Sequence, residues 1–322
     1  MAKRFAIGVD LGATRIRVCV GDESGKLLWR RSTRMPRPPR VEDYIHNLVD
    51  RIREGVENSP RKQDIAGIGV ASIGPLDLRE GRMAYPANLP YKSVPIVEPL
   101  KQAFGARVVL MNDARAAVLG ERRFGAGRVH ENLVYITIST GIGGGAIVDG
   151  HLLSGKDGNA GEIGHVTVDP LERLECGCGR RGHWEAYCSG KNLPNLARML
   201  ASNWREDAVG IVSEVKRKGK VRPDSTRILR AAREGDRFAE HVAMEMGKFN
   251  ALGFANVINA YDPSLITVGG GVTLNNQELV LKPIRELVPQ YAVNRPPHIV
   301  VTPLGDDVGL LGALTLVLGE PT

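Results

Sequence analysis

Leu133-Val134-Tyr135-Ile136-Thr137-Ile138-Ser139-Thr140-Gly141-Ile142-Gly143-Gly144-Gly145-Ala146-Ile147-Val148-Asp149-Gly150-His151-Leu152-Leu153-Ser154 is the stretch that decides the architecture. It reads as a strand over 133–139, a glycine turn over 140–145, a strand over 146–148, a hairpin turn at Asp149-Gly150 and a strand over 151–154. The same order stands near the start of the chain. Residues 4–10 form a strand that ends in Asp10-Leu11-Gly12-Ala13-Thr14, and Arg15–Val20 alternates with Ile16, Val18 and Val20 on one side. Gly21–Gly25 is a turn, and Leu27–Arg31 forms a third strand. Two α/β halves, each opening on a glycine turn of phosphate size, predict two domains facing a cleft.

The remaining pattern supports that division. A helical period runs over 41–57 through Val41, Tyr44, Ile45, Leu48, Val49, Ile52 and Val56. Ile65–Ala71 and Val108–Met111 read as buried parallel strands, with a short helix over Pro95–Phe104 between them. Ala114–Phe124 reads as a helix, and long helical patterns run over about 225–260. Leu265–Val268 and Ile299–Thr302 are strands, and the last helix runs from about Gly309 to Leu318.

At 322 residues, with 43% hydrophobic and 25% charged, the chain is that of an ordinary globular protein with a sizeable core. It has no apolar run of membrane-spanning length, so no membrane partner is expected. The first strand begins at once, which leaves no room for a signal peptide. Four Cys, two of them in a Cys-x-Cys pair, point to metal binding in a reducing cytoplasm rather than to disulfides. The net charge of +7 reads as a solvated basic surface. Arg30, Arg31, Arg34, Arg37 and Arg40 lie beside prolines, not on a helical face with aromatics, and no nucleic-acid partner is expected.

Gly12 lets backbone N–H groups approach a phosphate, Thr14 adds a hydroxyl, and Asp10 suits a magnesium ion held through water. Thr140–Gly145 carries four glycines in five residues and suits a triphosphate. Gly269-Gly270-Gly271 follows a strand and lets a base or ribose lie against backbone. Asn112-Asp113 follows another, with Asp113 as general base or, equally, as the N-cap of the next helix. His165, Cys176, Cys178 and His183 make a closed set of zinc donors with no open position, so the zinc is structural. Cys188 is a weaker alternative ligand and Cys19 a core residue. Glu162 and Glu185 flank the donors and suit the hydroxyls of a sugar.

Taken together these residues resemble the ROK family, whose members share the fold of actin, hexokinase and the Hsp70 ATPase. The likeness covers nearly the whole chain. It rests on Asp10–Thr14, Ser72-Ile73-Gly74-Pro75-Leu76-Asp77, Asn88-Leu89-Pro90, Asn112-Asp113-Ala114 with Gly120-Glu121, Thr140–Gly145, Gly161-Glu162-Ile163-Gly164-His165 and the run Cys176–Glu185. The resemblance implies an α/β fold of two actin-like, ribonuclease H-like domains around a cleft. One would take 1–112 with a C-terminal helix at about 305–322, the other 113–304 with a zinc segment at 165–183.

The resemblance also implies an ATP-dependent hexose kinase, a glucokinase or hexokinase, with Asp113 as catalytic base. Gly74, Asn88, Asn112, Asp113, Glu162, His165 and Glu185 would face the hexose. Asp10, Gly12, Ala13, Thr14, Thr140, Gly141, Gly143 and Gly270 would hold ATP with Mg2+. His165, Cys176, Cys178 and His183 would bind Zn2+, His183 standing where the family usually has a third Cys. An N-acetylhexosamine kinase or a fructokinase stays open, as does a non-catalytic sugar-responsive regulator. No winged-helix segment precedes the first strand, which favours the kinase branch. A homo-oligomer, dimer or tetramer, is the family expectation.

Overall fold

The computed structural model describes residues 4–12, 15–60, 62, 65–86, 89–205, 209–217 and 223–319. Ala13, Thr14 and Asn88, all expected at the site, lie outside the described residues. In chain order the elements are β1 (Phe5–Leu11), β2 (Arg15–Asp22), β3 (Leu27–Arg34), α1 (Val41–Glu57), β4 (Ile65–Ser72), β5 (Leu76–Asp77), β6 (Arg82–Ala84), β7 (Ser93–Pro95), α2 (Val97–Phe104), β8 (Val108–Asn112) and α3 (Asp113–Phe124). There follow β9 (Leu133–Ile138), β10 (Ile142–Val148), β11 (His151–Leu152), α4 (Glu185–Cys188), α5 (Leu193–Ala201), α6 (Ile211–Lys216), α7 (Ser225–Arg233) and α8 (Arg237–Tyr261). The chain closes with β12 (Leu265–Gly269), α9 (Gly271–Leu274), α10 (Gln277–Leu287), β13 (His298–Val301) and α11 (Val308–Leu318).

The repeat read from the sequence is a repeat of topology. One five-stranded sheet has the order β3-β2-β1-β4-β8 and the other β11-β10-β9-β12-β13. In the first, β1–β2 and β2–β3 are antiparallel while β1–β4 and β4–β8 are parallel. In the second, β10–β11 is antiparallel and β12–β13 parallel, matching the corresponding positions of the first. A small sheet β5-β6-β7, which hydrophobic periodicity did not announce, is too short to show a period.

The chain forms two compact units. One holds the described residues of Met1–Tyr135, Gly145–Gly161 and Thr302–Thr322; the other holds Ile136–Gly144 and those of Glu162–Val301. This grouping puts α3 with the first unit, because α3 packs along α11. In that unit β1 is buried from end to end. Alternation sends Ile7, Val9 and Leu11 into a core with Tyr44, Leu48 and Ile52 of α1, and Ala6 to the other face with Leu310, Leu314 and Val317 of α11. Cys19 belongs to that second cluster, as expected of a core thiol, and burial pushes its pKa up to about 12. In the other unit Trp184, wholly buried, sets α4 against α8. Its ring meets Phe254 edge-on at 5.5 Å and its Nε1–H donates to Asn250 Oδ1 at 2.9 Å.

Several boundaries differ from the sequence reading. The glycine turn is shorter, because β10 begins at Ile142 and takes Gly143, Gly144 and Gly145 into the strand. Gly145 permits close packing there: a Cβ on it would lie 2.7 Å from the Ala114 carbonyl oxygen of α3. The helical patterns over 225–260 are two helices. Asp236 sets the break by capping α8, accepting from the Ala239 N–H, and by accepting from the Ile211 N–H at 2.9 Å. Pro95 ends β7, and α2 starts only at Val97. Among the described residues no helix is long and apolar enough to cross a membrane.

Leu314 is completely buried between α11 and the first sheet. Leu314→Ala is expected to lower unfolding free energy by about 3 kcal/mol, read as a lower urea midpoint at unchanged slope.

Candidate functional site

In the first unit, the expected phosphate and base residues stand at the C-terminal ends of parallel strands. Asp10 is near the end of β1, with Gly12 just beyond it; the Gly12 N–H donates to the Arg15 carbonyl at 3.0 Å and closes the turn. Asn112 ends β8 and caps α3, its Oδ1 accepting from the N–H groups of Ala114 at 3.1 Å and Arg115 at 3.2 Å. The cap is therefore Asn112, not Asp113 as one reading of the sequence had it. Asp113 is the first residue of α3, half-buried, with Oδ1 accepting from the Ala114 N–H at 2.8 Å. The Ala114 N–H is thus shared between Asn112 and Asp113, while the Arg115 N–H goes to Asn112 alone. Gly74 is half-buried ahead of β5, at a cis Gly74–Pro75 bond.

In the second unit, the turn Ser139–Gly141 is held from three sides. The Ser139 carbonyl accepts from Gly190 N–H at 2.7 Å, the Thr140 carbonyl from Lys191 N–H at 3.2 Å, and Glu185 Oε2 from Ile142 N–H at 2.9 Å. Gly141 must lack a side chain here, since a Cβ would come within 2.5 Å of Glu185 Oε2. Thr140 is exposed at the tip, Gly143 lies on β10, and Gly270 joins β12 to α9 at φ 85°, a backbone region that favours glycine. Glu185, expected to face a sugar, thus already has one oxygen on the phosphate turn.

His165, Cys176, Cys178 and His183 converge, their ligand atoms all within 4.8 Å of one another. Cys176 Sγ lies 3.6 Å from His165 Nδ1, and Cys178 Sγ 3.4 Å from His183 Nδ1. Bonds of about 2.3 Å to sulfur and 2.0–2.1 Å to nitrogen put a tetrahedral S–N edge at about 3.6 Å, so the four donors fit a zinc ion. Burial, then the charges of His165 and Arg180, hold His183 below the usual imidazole pKa, which favours the neutral ligand form. Burial, opposed by the Cys178 N–H and reinforced by the Glu185 charge, pushes the Cys176 thiol up to about 12. Cys188 is not part of the group: it is fully buried and donates to the Met246 carbonyl at 3.4 Å.

His165 presents its other ring nitrogen to Glu162, with Nε2 3.7 Å from Oε2. Although half of the Glu162 side chain is exposed, the protein packed around its carboxyl raises its pKa; His165 pulls it down and Glu185 pushes it up. Two carboxylates and an imidazole gathered this way suit the hydroxyls of a polyol. The hairpin that carries the cysteines rests on Asp169, which the sequence reading passed over. Asp169 accepts from the N–H groups of Leu171 at 3.1 Å and Arg173 at 3.2 Å, from Arg173 Nε at 2.8 Å, and from the Tyr187 hydroxyl. Burial would raise its pKa, but these donors hold it at about 2.

The model of the ROK family matches residues 6–320. The chain belongs to the ROK family. It is 37% identical over 316 residues to a glucokinase of Pyrobaculum calidifontis, covering 98% of this chain and 95% of that one. It is 34% identical over 321 residues to a glucokinase of Thermotoga maritima, covering 98% of each. A ROK family glucokinase from Streptomyces griseus, solved in complex with glucose and AMPPNP, has a TM-score of 0.78 at 34% identity, covering 97% of this chain and 99% of that one.

The fold is therefore the mixed α/β architecture of two actin-like domains that ROK kinases have. Three contacts around the expected site residues went unread in the sequence: those of Asp169, the double engagement of Glu185, and that of Arg17, which bonds Asp10. Arg17 alone left a signal, since opposite charges at 10 and 17 are equidistant from the turn and pair across the hairpin.

Asp169→Asn is expected to cost about 2 kcal/mol at neutral pH by weakening charged hydrogen bonds. A depressed carboxylate pKa gives stability that is complete above about pH 4 and lost as pH falls towards 2. Urea titrations of both proteins at pH 7 and pH 3 are thus expected to show a gap that shrinks at the lower pH.

Proposed function

We propose that the protein is an ATP-dependent sugar kinase that phosphorylates a hexose, glucose foremost, at its 6-hydroxyl. The observation that carries this reading is the standing of Asp113. It is a half-buried carboxylate at the first position of α3, just past the end of a parallel strand, in a chain 34% identical over 97% of its length to a glucokinase solved with glucose and AMPPNP. Asp113 takes the proton of the sugar 6-hydroxyl as the hydroxyl oxygen forms a bond to the terminal phosphorus of ATP and the bond from that phosphorus to the β–γ bridging oxygen breaks, releasing ADP. A carboxylate suffices as base because phosphoryl transfer has a loose transition state and depends chiefly on positioning.

Gly74, Asn88, Asn112, Glu162, His165 and Glu185 bind the sugar in this reading. Asn112 keeps its amide NH2 for that purpose while its oxygen caps α3. Asp10, Gly12, Ala13, Thr14, Thr140, Gly141, Gly143 and Gly270 hold the nucleotide. Magnesium, when bound, would neutralise charge on the phosphates, with Asp10 as the protein's acceptor near it. Zinc on His165, Cys176, Cys178 and His183 would cross-link the hairpin and fix His165 by one nitrogen, leaving the other towards Glu162. A reducing cytoplasm, in which the free cysteines persist, suits such a site.

ADP release with magnesium-ATP, measured against glucose, N-acetylglucosamine, N-acetylmannosamine and fructose, is expected to be strongest on glucose. Asp113→Asn is expected to lower kcat by about a thousandfold with little change in sugar affinity by calorimetry. Near-normal turnover in that variant would remove Asp113 as base. Elemental analysis is expected to find one zinc per chain in the purified protein. His183→Ala is expected to lose that metal and lower the thermal midpoint.

A further inference from the structure

Asp10 and Arg17 are register partners across the β1–β2 ladder. Arg17 Nη2 donates to Asp10 Oδ2, and Nη1 donates to the backbone carbonyl of Asp306, just ahead of α11. The same approach to α11 is held from β3 by Arg30, which bonds the Asp307 carboxylate. Gly309, in the first turn of α11, closes the other side of the carboxylate: a Cβ there would lie 2.7 Å from Asp10 Oδ2 and 3.1 Å from its Cγ. Asp10 is thus largely enclosed, its side chain 12% exposed. Arg17 and Gly309 surround Oδ2, and among the described residues no donor is bonded to Oδ1.

A carboxylate beside a bound triphosphate poses two problems. Its charge repels the phosphates, and free rotation offers either oxygen to the cation that accompanies them. Arg17 answers both, by neutralising Asp10 as a pair and by fixing which oxygen is engaged. Burial opposes a charged guanidinium at this place, but Asp10, Asp306 and Asp307 keep it protonated.

We propose that Arg17 is a positioning residue for the phosphoryl-donor end of the site. It holds the Asp10 carboxylate in one orientation, Oδ2 tied to the guanidinium and Oδ1 presented to the hydration shell of the magnesium that a nucleoside triphosphate brings. The proposal rests on the kinase reading above, with Asp10 at the metal end. Arg17 touches neither sugar nor, in this account, the reacting atoms, so its loss acts on metal–nucleotide binding and leaves sugar binding alone.

The test compares wild type with Arg17→Gln and Arg17→Lys. Binding of magnesium-AMPPNP is read by calorimetry without turnover, and the magnesium concentration giving half-maximal rate and the KM for glucose are read from kinetics. Loss of one charged hydrogen-bonding partner is expected to raise the Kd for magnesium-AMPPNP and the half-saturating magnesium concentration about tenfold in Arg17→Gln. The glucose KM is expected to stay within about twofold, and Arg17→Lys to recover part of the loss because it keeps the charge but not the two-pronged geometry. A folded Arg17→Gln with unchanged nucleotide affinity and magnesium requirement overturns the proposal. So does a loss of glucose affinity in the same proportion, which marks a purely structural role. If Arg17→Gln does not fold, an unchanged magnesium requirement in Arg17→Lys overturns it equally. Failure of the kinase reading is separate: it shows in the wild type as silence on every sugar with magnesium-ATP.

Discussion

Glu185 is the residue on which the second unit's site turns. Its two carboxylate oxygens have different tasks. Oε2 takes the Ile142 amide at the base of the turn Ser139–Gly141, and Oε1 lies 3.5 Å from the Cys176 sulfur of the Cys/His cluster. One side chain therefore ties a phosphate-sized turn to the cysteine hairpin. The tie requires Gly141 to have no side chain, and it requires α4, which begins at Glu185, to be fixed in place. Trp184 does the fixing, through its contact with Phe254 and its hydrogen bond to Asn250 of α8. A buried indole, a carboxylate and a glycine thus form one chain of dependence from the core to the site.

In the first unit the corresponding economy lies at the ends of parallel strands. β1 and β8 finish at the same edge of the sheet, one at Asp10 and Gly12, the other at Asn112. Asn112 accepts from two open N–H groups at the start of α3 and shares that of Ala114 with Asp113. Arg17 and the approach to α11 constrain Asp10 in a comparable way. In both cases a polar neighbour with a structural task stands beside the carboxylate, so that its position comes from packing and hydrogen bonds already required by the fold.

Much of this was legible beforehand. The duplicated pattern of strand, turn, strand, hairpin and strand rests on alternation and on Gly-Asp punctuation, both local signals, and it became two sheets of corresponding order. The Cys/His group was legible because Cys-x-Cys with nearby His is a compact chemical signature, and the four side chains do converge. The extent of the glycine turn was misread because glycine serves two purposes. At Gly145 it admits close packing of the strand instead of opening a loop, and no local pattern separates the two. The helical patterns over 225–260 became two helices, α7 and α8, and the break between them is set by the Asp236 cap.

The sequence by itself determined which residue types could do chemistry and in what order they occur: a carboxylate after a strand, glycines at turns, two thiols and two imidazoles at short spacing. Those follow from side-chain chemistry and from the short-range periods of helix and strand. The tertiary structure decided which of them act together. That Asp169 carries the cysteine hairpin, that Glu185 spans cluster and turn, and that Asn112 rather than Asp113 caps α3 depend on contacts made when the backbone folds. Hydrogen bonds select partners by distance and angle, over a few tenths of an ångström, and separation along the chain carries no record of either.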